Sequence, residues 1–145
     1  MTNEEYGRYV DALAPRSKTG ENLLNAFWVG GLICAIGQAL LNGYQALGLD
    51  ETTAGAAVSI SLVLLSAILT GFAVYDDIAK FAGAGTLVPI TGFANAVVAP
   101  AIEFQTEGFV LGTAAKMFTI AGPVIVYGLS ASVLYGVIYW VCSML

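Results

Sequence analysis

The chain has 145 residues, of which 58% are hydrophobic and only 10% charged, and its net charge is −5. That charge content is less than half of what soluble domains carry, and the acidic balance disfavours a nucleic-acid partner. There is no histidine, and Cys34 and Cys142 each sit inside an apolar run, so neither a disulfide framework nor a metal cluster is expected.

The charges are also unevenly placed. Residues 22–49, 52–75, 81–102 and 117–145 contain none. The pattern predicts an all-α, polytopic integral membrane protein. About three full transmembrane helices, a re-entrant or broken segment and a short half-helix are expected. Residues 1–22 read as a cytoplasmic amphipathic stub and residues 23–145 as the membrane domain. The stub is mixed in sign and followed by too long an apolar run for a secretory signal.

Within the stub, Thr2 and Glu5 have capping-box spacing. Tyr6, Tyr9, Val10 and Leu13 fall on one helical face, and Pro15 is expected to stop the helix. Such a face suits the membrane surface or a soluble partner equally. Arg8, Arg16 and Lys18 place the N-terminus on the cytoplasmic side.

The first span is expected over 23–47, which at 1.5 Å per residue gives ~37 Å, enough to cross with tilt. The second is expected over 53–74. Tyr75, Asp76, Asp77 and Lys80 then lie near the cytoplasmic surface. Residues 81–102 form the broken segment. Its first twenty residues, FAGAGTLVPITGFANAVVAP, hold three glycines, two prolines, two threonines and an asparagine. Interrupted backbone at membrane depth survives only where protein covers it or water reaches it, so this stretch points to a conduit. Glu103 to Glu107 make a polar step. The remaining apolar run is too long for one ordinary span, so Gly122–Pro123 is expected to divide it into a short helix, 108–121, and a span, 123–142.

No phosphate loop, dinucleotide fingerprint, metal cluster or nucleophile–histidine pair is present, so neither an enzyme nor a cofactor is expected. The intramembrane polar residues are the candidates. Gln38 and Asn42 lie four apart on the first span, as helix glue or pore lining. Thr91 and Asn95, also four apart, are expected to line a cavity beside the breaks at Gly83 and Gly85. Lys116 lies inside an apolar run, either functional at depth or snorkelling to the interface. Glu103 and Glu107 flank the broken segment, as cation guides or solvated loop residues. Gly128, Ser132 and Gly136 recur at helix-packing spacing. A faint echo links Leu69–Ala73 with Ile90–Ala94, of a length that chance supplies in an apolar chain.

Several stretches, in order, resemble a known family: FWVGGLICAIGQ (27–38), LTGFAVYDDIAKFAGAG (69–85), VPITGFANAVV (88–98), EGFVLG (107–112) and MFTIAGPVIVYG (117–128). They are similar to the SpoVAC/SpoVAEb family of spore membrane proteins, nearer to its SpoVAC-type members. The resemblance implies a membrane channel subunit of the SpoVA system, in the inner membrane of the forespore and spore. That system moves dipicolinic acid, with calcium, during sporulation and germination, and SpoVAC-type members are described as tension-gated. Implied partners are a SpoVAEb-like membrane subunit and a SpoVAD-like soluble subunit that binds dipicolinate. The alternative is a non-conducting scaffold that recruits this soluble partner. A small independent osmotic channel is a third option.

Overall fold

The computed structural model describes residues 2–13 and 18–144. Among the described residues there are helices and turns and no strand. Three helical stretches are long and apolar enough to cross a membrane: Thr19–Ala46, Glu51–Gly71 and Phe109–Met144.

Helix α1 spans Asn3–Leu13. Its capping box is closed: the Thr2 amide donates to Glu5 Oε2 at 2.8 Å, and the Glu5 amide to Thr2 Oγ1 at 3.3 Å. Tyr6, Tyr9, Val10 and Leu13 are exposed. The expected stop at Pro15 and the basic Arg16 lie outside the described residues, as does the side chain of Arg8.

Helix α2 spans Thr19–Ala46 and turns through Leu47–Asp50 into α3, Glu51–Gly71. Asp50 caps α3: its carboxylate accepts from the Thr53 hydroxyl at 2.6 Å and from the Thr53 amide at 3.1 Å. Those bonds, the hydroxyl's first, hold the Asp50 carboxyl below its ordinary range. The second span ends three residues earlier than expected. Ala73 takes a left-handed φ of 58° and redirects the chain into α4, Val74–Ala82.

Helix α4 is amphipathic. It buries Tyr75 and Ala82 and exposes Asp76, Asp77 and Lys80. Lys80 Nζ lies 2.9 Å from Asp77 Oδ1. This hydrogen-bonded ion pair raises the lysine's pKa.

The apolar stretch that follows is broken twice. Gly83, with φ 51° and ψ −119°, separates α4 from the single turn α5, Ala84–Leu87. Pro89 then starts α6, Ile90–Glu103. At 1.5 Å per residue α6 is ~21 Å long, short of a ~30 Å hydrocarbon core. A 3₁₀ turn, Gln105–Glu107, and a π-helical turn, Phe109–Ala114, lead into α7, Ala115–Met144.

Gly122–Pro123 does not divide the last segment. Pro123 lies inside the uninterrupted α7. A proline removes one backbone hydrogen bond, and membrane helices tolerate that loss. The irregularity falls instead at the π-helical turn, before the helix proper.

Helix α3 packs against α2 and α6, α5 against α2, and the start of α7 against α6. No residue of α2 or α7 is fully buried. Gly128, Ser132 and Gly136 are exposed, and a methyl added at either glycine would meet nothing within 4 Å. Their expected helix contact is therefore not made inside the described chain.

The Asp50 cap gives a pH prediction. Its folded pKa is depressed, so its contribution is present above the unfolded value, near 3.8, and is lost as pH falls through the folded one. Thermal unfolding in detergent, compared between about pH 5 and about pH 3, is expected to show a larger stability loss for the wild type than for Asp50→Asn. Asparagine caps a helix without titrating.

Candidate functional site

Four helices bring polar side chains together where α6 begins. Ser66 and Thr70 come from the last turns of α3, Tyr75 from α4, Thr86 from α5, and Thr91 and Asn95 from α6. Ser66, Thr70, Tyr75, Thr86 and Thr91 are all buried.

They form one hydrogen-bonded seam. Ser66 Oγ donates to the Thr91 carbonyl at 2.6 Å. The Tyr75 hydroxyl lies 3.0 Å from both the Thr86 carbonyl and Thr91 Oγ1. It carries one proton, so it donates to the carbonyl and accepts from the Thr91 hydroxyl. Thr70 Oγ1 lies 2.8 Å from the Ser66 carbonyl and 2.7 Å from Asn95 Oδ1. Turning the carboxamide end for end would let it donate to Thr70 while Thr70 serves the carbonyl. Thr86 Oγ1 donates to the Gly83 carbonyl at 3.0 Å, across the first break. Among the described residues, no buried side-chain nitrogen or oxygen lacks a partner.

Close backbone approach holds the seam shut. A methyl added at Gly85 would lie 2.8 Å from Ala26 Cα, and one at Gly92 would lie 2.6 Å from the Leu87 carbonyl oxygen. Both positions therefore require glycine for packing. Gly85 seats α5 on α2, and Gly92 lets α6 fold back on α5.

The expected site residues divide. Thr91 spends its hydroxyl and its carbonyl inside the seam and borders an apolar cavity of about 170 Å³ between α2, α3 and α4. Asn95 is partly exposed and lines a recess of about 300 Å³ together with Tyr75, Gly83, Thr86 and Gly92. Gly83 is exposed, whereas Gly85 is buried in the α2 contact. Gln38 and Asn42 are not brought to this region. They are exposed on α2 and bond to each other, Gln38 Nε2 donating to Asn42 Oδ1 at 2.9 Å.

Lys116 is half-buried, with its Nζ 3.9 Å from the centroid of the Phe104 ring. The ammonium thus reaches back to the residue that ends α6, a favourable cation–π placement. Glu103 and Glu107 are exposed at the same turn. Among the described residues neither pairs with Lys116; the ion pairs are Lys18–Glu21 and Lys80–Asp77. Among the described residues no group of three or more histidine, cysteine, aspartate and glutamate residues is placed to hold a metal ion.

Ser66, Thr70, Tyr75 and Thr86 escaped the sequence reading. Ser66 and Thr70 carried a signal, a hydroxyl pair four apart inside an apolar helix. Tyr75 resembled an interfacial aromatic, and nothing local assigns it to a core.

Removing the Tyr75 hydroxyl would leave buried partners unmatched, a loss of about 1–3 kcal/mol. Tyr75→Phe is therefore expected to lower the unfolding temperature in detergent. Tyr127→Phe, on the exposed face of α7, should leave it unchanged.

Against known proteins, the profile of the SpoVAC/SpoVAEB sporulation membrane protein family matches residues 22–138. Stage V sporulation protein AC of Bacillus subtilis (strain 168) is 49% identical over 141 residues, covering 95% of this chain and 94% of that protein. No solved structure matches. The broken segment and its seam fall within the matched region, and the chain belongs to the SpoVAC/SpoVAEB family of sporulation membrane proteins.

Proposed function

We propose that this chain is a membrane subunit of a SpoVA-type channel. It would pass dipicolinic acid, with calcium, across the inner membrane of the forespore and spore. The observation that carries the reading is the broken α4–α5–α6 segment, with a half-exposed carboxamide, Asn95, in a recess beside Gly83. Irregular backbone of this kind in a membrane domain accompanies solute paths.

The path runs along the outer side of this segment rather than through the chain. Its buried hydroxyls are already committed to one another, so neighbouring subunits complete the wall. Gly83 and Asn95 line the path. Lys116 offsets the charge of a dicarboxylate at the α6–α7 turn, and Glu103 and Glu107 receive calcium there. The N-terminus is cytoplasmic. Partners are a SpoVAEb-like membrane subunit and a SpoVAD-like soluble subunit that binds dipicolinate. Tension acts by shifting α7 and the part of α2 beyond the Gly85 contact, helices in which no residue is fully buried.

A non-conducting scaffold is the competing reading. It is favoured by the commitment of Thr91 to the seam, which turns an expected lining group into glue.

The test is the dipicolinate content of spores carrying Asn95→Leu or Lys116→Met, with protein level and complex assembly measured alongside. Lowered content at unchanged assembly is expected. Normal content in both variants, with stable protein, removes the proposed path. Joint loss of assembly and content supports the scaffold.

A further inference from the structure

The Gln38–Asn42 pair is not used by the seam or by the proposed path, and its placement is chemically demanding. Gln38 lies two to three residues, or ~4 Å along the axis, from the midpoint between Glu21 and Asp50, the charged residues that bracket the uncharged stretch of α2. Both carboxamides are exposed. Their mutual bond uses one Nε2 proton and Asn42 Oδ1. The second Nε2 proton, Gln38 Oε1 and both Nδ2 protons of Asn42 have no side-chain partner among the described residues. Lipid supplies none, and unmet amide groups in hydrocarbon cost several kcal/mol.

The pair points away from the rest of the chain. The half-covered positions of α2 include Gly30, Ile33, Gly37, Leu40, Leu41 and Tyr44. Gly37 faces Val58 and Leu62, and Tyr44 bonds to Ser61. At 100° per residue, Gln38 and Asn42 lie on the opposite side, in line with the exposed Gly31 and Ala35. Gly31 and Ala35 are four apart, a small-residue spacing that lets helix axes approach closely.

We propose that this face of α2 is the contact with a second copy of the chain. Carboxamides are self-complementary, since each offers both a donor and an acceptor. Copies inserted with the same topology pack in parallel, so equal residues meet at equal depth. Gln38 then finds Gln38, Asn42 finds Asn42, and Gly31 and Ala35 admit the approach. The interface meets the hydrogen-bonding demand without a different partner. It concerns assembly and stands whether or not the chain conducts dipicolinate.

Cys34, exposed one turn before Gln38 at the edge of this face, where it also borders a groove with Gly85 and Val88, is a built-in reporter. The full chain carrying Cys142→Ser is expressed without other subunits and oxidised in the membrane with copper phenanthroline. A Cys34-linked dimer is expected. A control with Cys34→Ala, Cys142→Ser and Ile33→Cys should give little, because Ile33 lines a cavity with Leu62 and Leu65. Adding Gln38→Leu and Asn42→Leu to the reporter should weaken association roughly fivefold to tenfold, from two interhelical bonds of ordinary membrane strength. Gln38→Asn, which keeps a carboxamide, should retain most cross-linking. These changes lie on an exposed face, so folding is spared, and recovery of undegraded protein verifies it. Three results overturn the proposal: no dimer, equal dimer from the Ile33→Cys control, or a yield indifferent to the double leucine change. A Cys34 adduct that forms only when a different membrane subunit is co-expressed, and then only with that subunit, also overturns it.

Discussion

In a bilayer, every backbone or side-chain polar group freed from a regular helix must find its partner inside the protein. The chain breaks its helical path at Gly83 and again at Val88–Pro89, and the rest of the fold is arranged around those breaks. Hydroxyls from α3, α4 and α5 converge on the start of α6. The Thr86 carbonyl is met by Tyr75, the Thr91 carbonyl by Ser66 and the Gly83 carbonyl by Thr86. At Thr86 the seam supplies a bond that a continuous helix would have made, and elsewhere it adds to backbone bonds such as that from the Thr86 amide to the Gly83 carbonyl.

That solution fixes where the chain is rigid and where it is bare. Gly85 and Gly92 bring backbones too close for any side chain, so α2, α5 and α6 are locked at one end of the domain. Away from that end little is covered. Helices α2 and α7 bury no residue fully, and their apolar faces suit lipid or neighbouring subunits. The buried polar groups satisfy one another, whereas Asn95 is half-exposed in a recess beside Gly83, where the proposed path would run. A path on the outside of a subunit is a path between subunits, and the proposed α2 contact is one way copies would meet.

The broken segment was legible because glycine and proline act locally: Gly83 and Pro89 interrupt a helix whatever packs against it. The three long helices were legible from charge-free length, and the family from motifs in order. The role of Thr91 was not legible. Its spacing with Asn95 showed two polar groups on one face, but the partners that claim it, Ser66 and Tyr75, lie on other helices. The same limit applies to Gln38 and Asn42: periodicity put them together, and only packing shows that their face points away from α3. At Gly122–Pro123 the local rule misled, because one lost hydrogen bond does not end a long membrane helix, and the irregular turn at Phe109–Ala114 carries no proline to announce it.

Under the proposed function, one chain has a sealed interior and would conduct only in company. The most direct measurement is dipicolinate efflux from loaded proteoliposomes, read by terbium fluorescence, across a dilution series of this protein with and without an osmotic downshift. No efflux is expected where most vesicles hold a single chain. Efflux should rise more steeply than in proportion to protein density, or appear on adding the membrane partner. Efflux from single chains, rising in simple proportion to their number, would contradict that reading.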